Sequence, residues 1–367
     1  MEIRRLEAKE FEQAIRLADD TFREEGHLSM GQAFPHVFST VLKQSYGAFD
    51  GEKLVSFIGL VPGTIRVGEA TLSVFSLGSV CTHEAYRQQG ISTMILQEIY
   101  HNVDEATASL ILVSGDRGMY LRNQCYRFGK TYAYTIGKTS EHKGEYEGEV
   151  RKGQPSDILQ IDCLRRATNV RFDSSIWEWQ VLIKAGGYSS IFKMDQALYV
   201  ACNGVVEGYA VIAMPTPAST KDHAIVIEWG GNSKAVYGIL QNMLEANPVK
   251  EIKLTIPWHE KFFEEVSEYP CEELQNAGTI HIVNAVRLIE QLKPYLCARN
   301  PALAHSLSVE QVDDHHVILH YNHESKIVLT LEDLVRLLFD PQGENLDEEL
   351  QTIFPIPLPY TEGMYFV

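Results

Sequence analysis

The chain has 367 residues, is 45% hydrophobic and 22% charged, and carries a formal net charge of −17. This length predicts two or three domains, each large enough to bury a core. The acidic balance argues against nucleic acid or an anionic membrane surface as the main partner, because like charges repel. The sequence contains no apolar run long enough to span a bilayer and no apolar core of a signal peptide at its start. We therefore expect a cytoplasmic protein without a membrane partner.

The cysteines are scattered and form no Cys-x-x-Cys pair, so we expect them to be reduced and mostly structural. No group of histidines and cysteines has the spacing of metal ligands, and we expect no metal. The six cysteines are Cys81, Cys125, Cys163, Cys202, Cys271 and Cys297.

The first 140 residues have the pattern of an α/β segment. A strand at 2–6 precedes a helix with apolar side chains at helical spacing over 11–22, and a second helix is predicted to begin at Pro35. Strands joined by Asp-Gly and Gly-Glu turns follow. The further predicted elements are strands at 46–49, 53–61, 64–67 and 70–82, a helix at 91–102, a strand at 109–114, a short helix at 119–124 and a strand at 131–136.

A short basic loop links the strand ending at Thr82 to the helix beginning at Ile91. The N-terminus of a helix presents unpaired backbone N–H groups and a partial positive charge, and Gly90 allows close approach of a ligand to the backbone. The loop therefore predicts a site for phosphate or pyrophosphate. The alternative is an ordinary turn between a strand and a helix.

The pattern Arg87-x-x-Gly90-x-Ser92 resembles the acetyl-CoA signature of the GNAT acetyltransferase superfamily, Gln/Arg-x-x-Gly-x-Gly/Ala, with serine at the last position. The resemblance implies that acetyl-CoA is the co-substrate. It also implies which residues bind it: the pyrophosphate on Arg87, Gln88, Gln89, Gly90, Ile91 and Ser92, and the pantetheine arm along Val80, Cys81 and Thr82.

Two further segments follow. Residues 150–277 have strand and helix patterns in a similar order, with Gly230-Gly231-Asn232-Ser233 and no arginine at the equivalent turn. We interpret this as a second, degenerate acetyltransferase-like domain, with strands predicted near 189–193 and 198–202. Residues 278–367 form a third segment, and Pro355, Pro357 and Pro359 impose an extended path near its end.

This three-part order resembles the Eis-type acetyltransferases (enhanced intracellular survival family). The resemblance implies domains at 1–140, 150–277 and 278–367. The implied fold class is α/β (α+β). It consists of a GNAT fold with a central mixed, mostly antiparallel sheet that occurs twice, plus a small sterol-carrier-protein-like α+β domain. It also implies a homo-oligomer as one possibility.

The family's general acid is a tyrosine after the strand that follows the phosphate loop. Ser114-Gly-Asp-Arg-Gly-Met-Tyr120 resembles that pattern and assigns the acid to Tyr120, with Tyr126 as the competitor. A phenol with a pKa of about 10 stays protonated at neutral pH and can donate to a departing thiolate. By the same resemblance the terminal carboxylate of Val367 assists the amine, the alternative being a tail that only packs.

We expect an acetyl-CoA-dependent N-acetyltransferase that acts on a primary amine of a small molecule or peptide by direct attack in a ternary complex. Glu24, Glu25 and Asp116 are candidate contacts for a cationic acceptor, and Phe34 is a candidate wall residue. Two alternatives remain, a non-catalytic acyl-CoA-binding sensor and a lipid-binding module in the third segment.

Overall fold

The computed structural model describes residues 1–138, 146–260, 264–322, 325–341 and 347–367. The charged, glycine-containing stretch at 138–154 predicts a linker, and its residues 139–145 lie outside the described part. The described helices and strands are given below in chain order.

The N-terminal part contains β1 (Glu2–Arg5), α1 (Phe11–Phe22), α2 (Met30–Ala33), β2 (Tyr46–Asp50), β3 (Lys53–Val67), β4 (Ala70–Thr82), α3 (Ile91–Glu105), β5 (Leu110–Val113) and α4 (Gly118–Leu121). The middle part contains β6 (Lys130–Gly137), β7 (Glu149–Lys152), α5 (Ile158–Ala167), β8 (Val170–Phe172), α6 (Ile176–Ala185), α7 (Gly187–Ile191), β9 (Met194–Asn203), β10 (Val205–Pro215), β11 (Ala224–Gly231), α8 (Ser233–Ala246), β12 (Glu251–Pro257) and β13 (Cys271–Gln275). The last part contains β14 (Thr279–Ile282), α9 (Ala285–Arg299), α10 (Pro301–Ser306), β15 (Ser308–Gln311), β16 (His316–Tyr321), β17 (Ser325–Thr330) and α11 (Leu331–Phe339).

Two seven-stranded sheets repeat one design. The first has the order β1-β2-β3-β4-β5-β14, with β8 also paired to β3, and the second has the order β13-β6-β12-β11-β10-β9-β7. Each sheet is antiparallel except for one parallel pair, β4 with β5 in the first and β11 with β12 in the second. The prediction of a mixed, mostly antiparallel and repeated sheet is confirmed. A small three-stranded sheet, β15-β16-β17, packs with the helices of the last part.

The two large sheets exchange strands. β6 follows the N-terminal elements in sequence but pairs with β12 and β13 of the second sheet. β14 follows the second sheet in sequence but pairs with β5 of the first. Strands thus cross two of the boundaries predicted from the sequence, while the division into three domains remains a prediction.

Two predicted elements were wrong. The second helix begins after Ser29, whose side chain accepts the Gly31 N–H at 3.3 Å. It ends before Pro35, because a proline disfavours helical geometry at the residue that precedes it. Residues 189–193 are not a strand. α7 ends at Ile191, and the Ser189 and Ser190 hydroxyls donate to carbonyl groups three residues earlier, which supports a helical turn.

The strands predicted at 53–61 and 64–67 are one continuous strand, β3. β2 pairs with β3 only as far as Ile58, and β8 pairs with it only from Ile65. The stretch between these partners has one free edge, which explains how Pro62 is tolerated inside a strand. This free edge borders the cavity described below.

The strand exchange predicts that residues 1–138 do not fold alone. Without β14, the fragment would expose the edge of β5, whose residues Leu110–Val113 are all buried, and β6 would lose both partners. We expect the full chain to show a cooperative thermal transition by circular dichroism and the fragment to show none. A monomeric fragment with its own cooperative transition would contradict this.

Candidate active site

A cleft opens in the first sheet where β4 and β5 separate. The two strands pair from Val74 with Leu110 to Leu77 with Val113, and the Ser114 N–H still reaches the Leu77 carbonyl at 2.9 Å. Beyond this point β4 continues to Thr82 without β5 and stays paired with β3. We call this opening the first cleft.

A β-bulge in β4 faces this opening. The register with β3 shifts between Phe57 and Gly59, and Ser79 has a φ of +53°. Because a bulge leaves its extra residue out of the ladder, the backbone of Ser79 and Val80 is available to a group in the cleft. These positions lie at and beside the predicted pantetheine-binding residues Val80, Cys81 and Thr82.

The N-terminus of α3 forms the predicted anion site. Gly90 is its N-cap with a φ of +72°, and the first helical hydrogen bond runs from the Met94 N–H to the Gly90 carbonyl at 3.1 Å. The N–H groups of residues 91–93 therefore have no acceptor within the helix. A Cβ placed on Gly90 would meet no atom within 4 Å, so the backbone is open to a ligand.

Hydrogen bonds connect this loop to β4. The Thr82 hydroxyl lies 2.8 Å from that of Ser56 and 3.1 Å from that of Ser92. Arg87 donates from Nε to the Thr82 carbonyl at 3.0 Å. The structure thus brings the predicted phosphate-binding residues together around one helix end, with Arg87, Gln88 and Gln89 exposed and Ile91 buried beneath them.

Cys81 is not an activated nucleophile. Its side chain is 3% exposed, and burial raises the pKa of the thiol to about 12. A thiol with such a pKa is uncharged at neutral pH, and only the thiolate is a good nucleophile. The geometry therefore fits the backbone role expected for this residue.

Tyr120 lies beside the first cleft. Its ring packs against Gly115 and belongs to the same core as Ile91 and Val113. Burial raises the pKa of the phenol to about 12, an effect that Arg117 opposes. Within the described part of the chain its hydroxyl forms no hydrogen bond, so it is available as a donor.

Tyr126 occupies a different environment. Its backbone bridges to Ile280, and its side chain packs against the core formed with the last part of the chain. Burial raises the pKa of its phenol. Tyr120 and not Tyr126 thus shares a core with α3, the helix predicted to bind phosphate.

The end of the chain lies in the first cleft. The Val367 N–H donates to the Ser114 hydroxyl at 3.4 Å, and a Cβ placed on Gly78 would overlap the Val367 carboxyl group. The carboxyl group therefore contacts the backbone of β4 next to the bulge. Only glycine at position 78 permits this approach.

A cavity of about 370 Å³ adjoins this carboxyl group. Its walls come from the free edge of β3, from Ser76, from residues 172–182 and from Tyr365, Phe366 and Val367. Asp173 continues β8, and its N–H donates to the Thr64 carbonyl at 2.9 Å, which holds this wall against β3. We call this space the acceptor cavity.

The acceptor cavity is acidic. Asp173 and Glu178 line it together with the Val367 carboxyl group. Arg171 and Arg166 lie 3.8 and 3.9 Å from Asp173. Burial lowers the pKa of His36, although Glu178 opposes this, so His36 adds no positive charge at neutral pH. The pattern of the sequence did not single out Asp173, Glu178 or His36, because no motif marks them.

The acceptor residues predicted from the sequence lie elsewhere. Glu24 is exposed with its carboxylate 3.9 Å from Lys193, whose ammonium donates to the Glu25 carbonyl at 3.0 Å. Asp116 forms an exposed ion pair with Arg127 at 2.8 Å. Phe34 is buried with its ring centroid 6.2 Å from that of Phe366. Their role in acceptor binding stays a prediction.

In the described ranges, no cluster of side chains has the composition of a metal site. The helices of the same ranges include none that is both long and apolar enough to cross a bilayer.

An anion site at a helix N-terminus, beside a cleft between diverging parallel strands, defines the class of GNAT-fold acyltransferases. The chain contains such a domain, because residues 2–127 match the family model described as an acetyltransferase (GNAT) domain. No curated protein matches the sequence of the chain.

Solved structures share the fold over almost the whole chain. A probable N-acyltransferase from Enterococcus faecalis V583 superposes with a TM-score of 0.68 at 13% identity, covering 98% of this chain and 99% of the other. Eis1 from Mycobacterium abscessus superposes with a TM-score of 0.64 at 11% identity, covering 98% of this chain and 100% of the other. A GCN5-related N-acetyltransferase from Anabaena variabilis superposes with a TM-score of 0.64 at 12% identity, covering 92% of this chain and 89% of the other. The predicted Eis-like fold is thereby confirmed.

Gly78→Ala should displace the end of the chain. The new methyl group would overlap the Val367 carboxyl group, and overpacking of this kind costs about 1–3 kcal/mol. Amide exchange at residues 365–367, measured by mass spectrometry, should become about tenfold faster or more. Gly63→Ala is the matched control, since its nearest atom would lie at an ordinary 3.9 Å. Equal exchange in both variants would contradict the packing described here.

Proposed function

We propose that this acyltransferase moves an acetyl group from acetyl-CoA to a primary amine of a small molecule or peptide. The observation that carries the proposal is the position of the Val367 carboxyl group. It lies in the first cleft against Gly78 and also lines the acceptor cavity. The sites for the two substrates therefore meet at one carboxyl group.

The acidic lining of the acceptor cavity supports an amine as acceptor. Glu178 and the Val367 carboxylate favour binding of an ammonium group, whereas the charge of Asp173 is partly offset by Arg171 and Arg166 at 3.8 and 3.9 Å. An amine must lose a proton before it can attack, and a carboxylate can relay that proton through water. We assign this role to Val367, with a tail that only packs as the alternative.

The first cleft supports the acyl side of the reaction. The α3 N-terminus suits the pyrophosphate of acetyl-CoA, and the bulge at Ser79 and Val80 offers backbone N–H groups to the acetyl carbonyl. The amine nitrogen attacks the carbonyl carbon, the C–N bond forms, the C–S bond breaks, and the thiolate takes a proton from the Tyr120 hydroxyl. No covalent enzyme intermediate is needed, in accord with the high pKa of Cys81.

The experiment that tests the proposal measures thiol release from acetyl-CoA by the pure protein with polyamines, aminoglycosides and peptides. We expect release that depends on the amine, with mass spectrometry showing an acetylated product. Binding of acetyl-CoA without release for every amine would favour the sensor instead.

Tyr120→Phe should lower kcat by about 100-fold or more, because general acid catalysis contributes about 10²–10⁴-fold. The KM for acetyl-CoA should stay the same, since the phenol acts only on the leaving thiolate. Tyr126→Phe is the matched control and should keep its rate, because Tyr126 packs in a different core. The opposite pattern would assign the acid to Tyr126.

A further inference from the structure

The second sheet has a cleft of its own, built like the first. β11 and β12 pair in parallel at Ala224 with Ile252 and at Ile225 with Lys253, and then separate. We call this opening the second cleft. A cavity of about 140 Å³ remains in it, lined by both strands and by residues 359–365.

The helix N-terminus at the second cleft is closed to an anion. Asn232 is the N-cap of α8, and its side-chain oxygen accepts the N–H groups of Lys234 and Ala235 at 2.9 and 3.3 Å. A Cβ on Gly231 would overlap the Glu207 carbonyl, whereas one on Gly90 would meet nothing within 4 Å. Two of the three helix-end donors that are open at the first cleft are thus already used at the second.

The chain's own tail, residues 353–367, passes through the second cleft instead, where Pro359, Tyr360, Gly363, Met364 and Tyr365 line the cavity. A Cβ on Gly363 would lie 2.8 Å from the Ile227 carbonyl, so the tail backbone approaches β11 closely. Met364 is 7% exposed and belongs to the core of this sheet. The tail then continues through Tyr365 and Phe366 to Val367 in the first cleft.

Tyr365 is the fixed point between the two clefts. Its hydroxyl lies 2.5 Å from the Ser174 hydroxyl and accepts a hydrogen bond from Arg165 at 3.2 Å. Its ring stacks on Phe172, with centroids 4.5 Å apart. Tyr365 is thereby held two residues before the carboxyl group in the first cleft.

Arg165 is itself held by acids. Its Nη1 donates to Asp162 at 2.9 Å, and its Nε lies 3.7 Å from Glu228. Glu228 in turn accepts hydrogen bonds from Trp179 at 2.7 Å and Tyr209 at 3.0 Å. This network fixes the guanidinium group that donates to Tyr365. A rigid donor positions its partner better than a solvated one, because less side-chain entropy is lost.

We propose that the second cleft is a receptor for the chain's own tail and that Tyr365, Ser174 and Arg165 position the Val367 carboxyl group in the first cleft. They are positioning residues and touch neither substrate's reacting atoms. The kinetic part of this inference rests on the proposed function. The docking part does not, because it concerns the tail alone.

The test compares Tyr365→Phe and Ser174→Ala with Tyr237→Phe. Tyr365→Phe removes the hydroxyl but keeps the ring on Phe172. Tyr237→Phe removes a buried hydroxyl that hydrogen-bonds with Tyr269, and Tyr237 lines neither of the two cavities. In each variant, amide exchange at residues 364–367 reports tail docking. The values of kcat and KM for acetyl-CoA report positioning.

We expect Tyr365→Phe and Ser174→Ala each to speed exchange and to lower kcat by about tenfold, with KM for acetyl-CoA unchanged. Their effects should be less than additive in the double variant, because both variants remove the hydrogen bond between Tyr365 and Ser174. Tyr237→Phe should match the unmodified protein.

Unchanged exchange in Tyr365→Phe would overturn the docking, and faster exchange with unchanged kcat would overturn the positioning. If the unmodified protein transfers no acyl group, the proposed function fails, and exchange alone still supports or overturns the docking.

Discussion

Strands β4 and β5 pair over only four residue pairs, and the sheet must accommodate the gap that opens beyond Leu77. The bulge at Ser79 turns the β4 backbone toward this gap, and α3 begins at the same end of the sheet. A loop, a bulge and a helix N-terminus therefore share one opening. The gap also admits the end of the chain, because Gly78 has no side chain there. The placement of both proposed substrate sites follows from this separation of two parallel strands.

The tail makes the site depend on every part of the chain. Ile356 and Leu358 pack in the core of the last part, and the Leu358 carbonyl accepts a hydrogen bond from His259 at 3.0 Å. Asn276 donates to the Pro359 carbonyl at 3.1 Å. Because the exchanged strands β6 and β14 also tie the two large sheets together, a local site in the first sheet rests on long-range contacts. This fits a role for the middle part in positioning the tail.

The sequence predicts the local features well and the long-range ones poorly. The open N-terminus of α3 could be predicted because Gly90 and a helix start are neighbours in the chain. The alternation in β6 and β14 predicts strands but carries no information on which sheet receives them. Tertiary contacts bring Asp173 and Glu178 into the acceptor cavity. No spacing in the sequence indicates that they lie there. The strand wrongly predicted at 189–193 has a different cause. The Ser189 and Ser190 hydroxyls form local hydrogen bonds, and these stabilise a helical turn.

The central claim is that the first cleft binds acetyl-CoA beside the Val367 carboxyl group, whereas the second cleft holds the preceding residues of the tail and binds no coenzyme A. Hydrogen exchange of the full chain with and without coenzyme A tests this most directly, combined with titration calorimetry. The account predicts one molecule bound per chain and protection of residues 87–94 with no change at 231–236. Two molecules per chain, or protection of residues 231–236, would contradict it.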